Sequence, residues 1–180
     1  MTCIVGMVHN DKVYIGGDSC SSDDSEKFTR RDPKVFLMDD MLFGFSGSWR
    51  FGQILRYKFT PPEKKDEQDD FEYLVTEWLD ALRHACKENG LTKIDDNEET
   101  WDGSALIGYN GSLYVLDEDL NIGEPLDDYA AIGSGSSVAL GALFVGAKTA
   151  KQARRVVQKA LEAAVEHARG VAPPFIILSI

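Results

Sequence analysis

The spacing of apolar and polar residues changes repeatedly along the chain, and each change marks an element. Residues 2–9 (TCIVGMVH) alternate small, branched and polar side chains, which predicts a half-buried strand. Asn10-Asp11-Lys12 is a turn signal, and Val13–Gly17 reads as the returning strand of a hairpin. The polar stretch from Asp18 to Arg31 predicts a long loop. A second hairpin follows, Lys34–Met38 and Met41–Ser46 around a turn at Asp39-Asp40. The period then becomes helical. Trp49, Ile54, Leu55 and Tyr57 suit a helix that Pro61-Pro62 closes off, and the charged Glu63–Asp70 stretch reads as a solvated connector. Phe71, Leu74, Val75, Trp78, Leu79 and Leu82 form the apolar stripe of an amphipathic helix that ends near Gly90.

After an acidic loop at Asp95–Glu99 the strand pattern returns. Gly103–Tyr109 and Ser112–Leu116 flank Asn110-Gly111, the dipeptide best suited to a tight hairpin turn because both residues tolerate positive φ. A short strand is expected at Tyr129–Ile132. The Gly-Ser-Gly-Ser run at 133–136 leads into an Ala/Leu-rich helix over Val138–Gly146. A further helix runs from about Lys148 to Arg169 with Val156, Val157, Ala160, Leu161 and Ala164 on one face. Pro173-Pro174 stops it, and the apolar run Phe175–Ile180 makes a last strand. Strands, two helices, strands, two helices and a strand predict an α+β fold: two antiparallel sheets packed together, each covered on its outer face by a helix pair. No repeat and no linker divides it, so residues 1–180 are expected to form a single domain.

Composition narrows the function classes. With 43% hydrophobic and 27% charged residues the chain is globular. No apolar run approaches the roughly 20 residues that span a bilayer, and no basic segment followed by an apolar stretch opens the chain. A cytoplasmic protein is expected. The formal net charge of −11 repels phosphate backbones and anionic lipid, and Arg30-Arg31 is only a pair among acidic neighbours. Nucleic acid and membrane are therefore set aside as partners. Cys3, Cys20 and Cys86 form no disulfide framework and no CxxC pair, and His9, His84 and His167 are as dispersed, so no metal site is expected.

Each chemically interesting residue has an ordinary explanation when taken alone. Thr2 can be a strand residue, Asp18 can shape a turn after Gly16-Gly17, Lys34 can be a surface charge, and Ser134 can cap the following helix. The GxG at 133–135 lacks the third glycine of a dinucleotide fingerprint, since Val138 stands in its place. Taken together, however, Thr2-Cys-Ile-Val-Gly, Gly-Gly-Asp18-Ser, Pro-Lys34-Val, Phe-Gly44-Phe-Ser-Gly47 and Ile-Gly-Ser134-Gly-Ser are similar in residues and spacing to proteasome β subunits and the HslV-type peptidase. The resemblance covers essentially the whole chain and implies the four-layer αββα fold of the N-terminal-nucleophile (Ntn) hydrolases.

That resemblance implies a threonine peptidase without a cofactor, acting on peptide or unfolded-protein substrate. Removal of Met1 would free Thr2, whose hydroxyl is a poor nucleophile until a base stands beside it. The α-amine of the same residue, with an ordinary pKa of about 7.7–8.0, is that base. Lys34 would favour the developing alkoxide, Asp18 would hold Lys34 in place, and the Gly44 amide would face the oxyanion. Ser134 would assist proton transfer at the amine. Substrate would lie extended between Ser21–Ser22 and Ser46–Gly47, with an apolar side-chain pocket near Phe36 and Leu42, because Phe36 projects on the same side as Lys34. The resemblance further implies a homo-oligomeric ring and allows an ATP-dependent unfoldase partner.

Two features depart from the pattern. The stretch after the last long helix, residues 166–174 (EHARGVAPP), lacks the Asp and Ser that complete the proteasomal site, although Glu166 lies near the corresponding HslV position. Met1 precedes Thr2 and, while attached, leaves it no free amine; a residue as small as Thr in second place suits removal of Met1 by a methionine aminopeptidase. Two alternatives follow, a non-proteolytic Ntn amidase or transpeptidase using the same Thr2, and a proteasome-like ring that binds without turnover.

Overall fold

A computed structural model of the chain describes residues 1–22, 26–95, 97–147 and 152–180. The first hairpin is β1 (Ile4–His9) and β2 (Lys12–Asp18), turned by Asn10 and Asp11 at positive φ. A small hairpin follows, β3 (Cys20–Ser22) against β4 (Lys27–Thr29), then β5 (Val35–Met38) and β6 (Met41–Gly47). Helix α1 (Trp49–Tyr57) starts where the Ser48 hydroxyl accepts a bond from the Arg50 amide. Helix α2 (Asp70–Tyr73) is capped by the Asp69 carboxylate and passes through a π-helical turn at Leu74–Trp78 directly into α3 (Leu79–Glu88). Strands β7 (Lys93–Asp95) and β8 (Glu98–Thr100) make a second small hairpin, and β9 (Gly103–Tyr109) and β10 (Ser112–Leu116) a long one. The short β11 (Ile122–Gly123) and β12 (Tyr129–Ile132) precede α4 (Ser136–Ala147), α5 (Ala153–His167) and β13 (Phe175–Ser179).

Four of these strands form one antiparallel sheet in the order β12-β1-β2-β13, and five form another in the order β11-β10-β9-β6-β5. Side-chain alternation sorts the apolar residues into three cores. Cys3, just before β1, and Val5 and Met7 on it face α4 and α5, where they meet Leu143, Val157 and Leu161. Ile4 faces the other way, towards Val13, Ile15, Val35, Leu42 and Leu106 between the two sheets. On β6, Met41, Phe43 and Phe45 face α1 and α3, packing with Phe51, Trp78 and Trp101. Helix, sheet, sheet and helix therefore stack as four layers, the α+β architecture expected from the sequence.

Two segments read from the sequence as loops carry structure. The Asp18–Arg31 stretch contains β3 and β4, and the acidic Asp95–Glu99 stretch belongs to β7 and β8. Each hairpin is three residue pairs long and pairs only with itself, so no apolar alternation accompanies it. Residues 23–25 of the first stretch and residue 96 of the second lie outside the described residues. So does Lys148, where the last helix was expected to start; the helix is observed from Ala153. Among the described residues no helix is long and apolar enough to cross a membrane.

Candidate active site

The site forms where β1 begins, at one end of the gap between the sheets. Thr2 precedes Ile4 by two residues and so shares its face, the one turned to the second sheet. It is 6% exposed and lines a pocket of about 250 Å³ with Met1, Ser21, Ser46, Gly47, Trp49, Gly133 and Ser134. Its backbone is fixed by the loop that leads into α4. The Thr2 amide donates to Ser134 Oγ at 3.1 Å, while the Thr2 carbonyl accepts from the Gly135 amide at 3.1 Å and from the Ser134 hydroxyl at 3.3 Å. Gly133 has φ +86°, and a side chain there would run into the Thr2 carbonyl, so this close approach requires glycine.

Behind Thr2 lies a buried ion pair. Lys34 Nζ donates to Asp18 Oδ1 at 3.0 Å and to the Cys20 carbonyl at 2.6 Å. The same Asp18 oxygen accepts from the Cys3 amide at 2.9 Å, and Oδ2 accepts from the Cys20 amide at 3.0 Å. One carboxylate thus ties the lysine to the peptide unit next to Thr2. Side-chain exposure is 2% for Lys34 and 0% for Asp18, so the carboxylate's bonds are made without competition from water. Burial lowers the Lys34 pKa from its ordinary value, and the facing Asp18 carboxylate opposes that change. Cys3 is no competing nucleophile: burial, helped by the Asp18 charge, pushes its thiol up to about 12.

The structure brings together Thr2, Asp18, Lys34 and Ser134 as catalytic candidates, and Ser21, Ser46 and Gly47 as pocket residues. Ser22 follows Ser21 in β3. Three other assignments are corrected. Gly44 is in the gap between the sheets, where a Cβ would lie 2.6 Å from Ile4 and 2.7 Å from Ile15. Since the Phe45 amide donates to the Lys34 carbonyl across β5, the Gly44 amide points the other way, to its partner Leu106 on β9. It belongs to the ladder and does not face Thr2. By the same alternation the Gly47 amide points to the side where β5 has not yet begun, and Gly47 lines the pocket.

Phe36 and Leu42 do not form a side-chain pocket, because register puts them on opposite faces: Phe36 opposes Phe43 and Leu42 opposes Leu37. Phe36 packs with Phe43 and Phe45 under α1, and Leu42 lies between the sheets. The pocket wall is instead Trp49, the first residue of α1, which the sequence marked only as a helix residue. Its ring is edge-on to Phe45 at 5.7 Å and carries the Arg30 guanidinium at 4.1 Å. No residue of 166–174 lines the pocket. Among the described residues no group of three His, Cys, Asp or Glu is placed to hold a metal ion.

While Met1 is attached, the Thr2 hydroxyl donates to the Met1 carbonyl at 2.7 Å and the Thr2 nitrogen is an amide. In this form the hydroxyl has no base beside it.

No family model matches the sequence, and no curated protein matches it. Solved structures do. BPH of Thiobacillus denitrificans, a bacterial proteasome homologue, superposes with a TM-score of 0.85 at 21% identity, over 99% of this chain and 97% of that one. The same protein in complex with epoxomicin gives 0.84 at 20% identity, over 99% and 98%. HslV of Trypanosoma brucei gives 0.71 at 19% identity, over 99% and 98%. The chain has the fold of proteasome-like Ntn hydrolases, and identities this low establish the fold alone.

Proposed function

We propose that this chain, acting over residues 1–180 as one Ntn-hydrolase domain, is a threonine endopeptidase of the proteasome/HslV kind, active once Met1 is removed. The observation that carries the reading is the buried Asp18–Lys34 pair, bound by one carboxylate oxygen to the peptide unit beside Thr2 at the edge of an open pocket. A structural ion pair alone explains neither the pocket nor the second clamp on Thr2 from Ser134 and Gly135. The BPH fold, seen also with epoxomicin, adds support at the level of architecture.

In this reading the neutral α-amine of Thr2 takes the proton from its own Oγ as that oxygen bonds to the substrate carbonyl carbon. The oxyanion forms opposite the Gly47 amide rather than that of Gly44, and the Lys34 ammonium stabilises charge on Oγ. Collapse breaks the C–N bond, and the leaving amine takes the proton from the α-ammonium. Water, activated by the same amine, then hydrolyses the Thr2 ester and restores the site. Substrate is an extended peptide or unfolded protein lying between Ser21–Ser22 and Ser46–Gly47. No cofactor takes part. The working assembly is a homo-oligomeric ring in the cytoplasm, and an ATP-dependent unfoldase is a compatible partner.

In protein shown by intact mass to have lost Met1, Thr2→Ala should abolish peptide hydrolysis and the mass gain from a threonine-directed electrophile, while assembly persists. Unchanged turnover in that variant would refute the assignment. One observation favours a second reading, a ring that binds without turnover: residues 166–174 add nothing to the pocket. Protein from its native host that keeps Met1 and takes up no electrophile would favour that reading.

A further inference from the structure

The segment that delivers Lys34 is held from outside by two guanidinium groups the mechanism has not used. Arg56, on α1, donates from Nη2 to the Pro33 carbonyl, immediately before Lys34. Its guanidinium carbon also lies over the Phe36 ring at 4.0 Å, two residues after Lys34. Arg56 therefore grips β5 on both sides of the lysine. Arg30, at the other end of the segment, lies over the Trp49 ring at 4.1 Å and makes two bonds to Asp32, at 2.8 Å and 2.5 Å. Asp32 is held by Arg30, and Arg56 takes hold of the chain one residue later, at the Pro33 carbonyl. Trp49 and Arg56 are the first and penultimate residues of the same helix, and Lys34 Nζ is 5.4 Å from the Trp49 ring centre.

We infer that Arg56 and Arg30 are positioning residues: they clamp residues 30–36 against α1, Arg56 fixing the Lys34 ammonium behind Thr2 and Arg30 fixing Trp49 as the pocket wall. A planar guanidinium suits both tasks, since it donates in its plane while a face rests on an aromatic ring; lysine reproduces the donation but not the stacking. The Arg30–Asp32 pair is partly exposed and adds little stability by itself. What it adds is order, in a stretch whose small displacement would move Lys34. Misplacement of a catalytic group by about 1 Å can lower turnover by about 10²-fold, so loosening one grip should be felt at the site. This inference rests on the proposed peptidase reading for its kinetic consequences, though not for the placement of Lys34.

The test compares Arg56→Met, Arg56→Lys and Arg30→Met with wild type, all freed of Met1. With a fluorogenic peptide, Arg56→Met should lower kcat about tenfold with little change in KM. It should also move the alkaline limb of the kcat profile upward, because a loosened Lys34 regains water. Arg56→Lys should recover part of the loss, and Arg30→Met should act mainly on KM through Trp49. A folded Arg56→Met with wild-type kcat and an unmoved alkaline limb would overturn the proposal. Arg56 is half-buried, so the Lys34 titration is also read without turnover, by NMR of ε-¹³C-lysine in wild type and in Arg56→Lys. A shift of the Lys34 midpoint towards the ordinary lysine value supports the clamp; an identical midpoint overturns it. A wild type that neither turns over nor takes up electrophile would instead sink the peptidase reading, and the NMR comparison would still judge the clamp.

Discussion

At the scale of single residues, the proposed mechanism depends on two amines kept in opposite states of charge. Thr2, freed of Met1, needs its α-amine neutral, and Lys34 must stay protonated to favour the alkoxide. The α-amine loses its proton as pH rises through about 7.7–8.0, so activity should climb there. Lys34 has its pKa depressed by burial, with Asp18 opposing. Its proton is therefore lost below the ordinary 10.5 as pH rises, and activity should fall on that limb. A bell-shaped kcat/KM profile with its maximum between those limits is expected, measured on a peptide whose own ionisation is constant. A profile rising without an alkaline fall would mean that the charge on Lys34 is irrelevant to the rate. Ser134 bridges the two ends of the Thr2 peptide units with one hydroxyl, accepting from the amide and donating to the carbonyl. That double use shows how little of this site consists of independent parts.

At the scale of elements, strand alternation decides which glycine can serve the reaction. Gly44→Ala should press a methyl into Ile4 and Ile15 and cost about 1–3 kcal/mol of stability, as overpacked cores do, with little change in kcat at temperatures where the variant is folded. Gly47→Ala differs in kind. Gly47 has φ +86°, and its Cβ would overlap the Asp102 carbonyl, so the end of β6 must move. If the Gly47 amide faces the oxyanion, turnover should drop by about 10²–10³ in that variant. Thermal melts and kcat on the two proteins distinguish the cases; equal losses of kcat would contradict the alternation argument.

The same scale shows what could be read in advance. Hairpins with Asn-Asp or Asn-Gly turns and the helix carrying Leu74, Trp78 and Leu82 were legible because turn chemistry and period agree there. The hairpins β3–β4 and β7–β8 were not, since three residue pairs are too short to show a period. The spacing of Thr2, Asp18 and Lys34 was visible in the sequence because each lies at a strand end. Trp49 was missed for the opposite reason: an aromatic at the start of an apolar helix looks like core, and only the folded chain places it in the pocket lining. The choice of Gly44 and Leu42 failed because alternation gives two faces without saying which one meets the site.

For the whole molecule, three cores in four layers leave Thr2 at the end of the intersheet gap, held by groups from both sheets and from the loop before α4. Each copy also carries a formal charge of −11, so any ring must bring like-charged bodies together. Screening shortens that repulsion, to about 10 Å at 0.1 M salt. Association should therefore tighten as salt is raised from low ionic strength, seen as a higher mass by light scattering at fixed protein concentration. A mass that falls steadily over that range would point to contacts built on opposite charges instead.

The bond from the Thr2 hydroxyl to the Met1 carbonyl has a consequence for how such a protein would be counted. For a site of the proposed kind, a copy that keeps Met1 is folded, assembled and silent. The rate of a preparation then reports the trimmed fraction and not the amount of protein. Two samples indistinguishable by gel, spectrum and melting point would differ in specific activity by the ratio of their N-termini. On that reading one methionine sets the dose, and its removal would be the moment at which the chain becomes a catalyst.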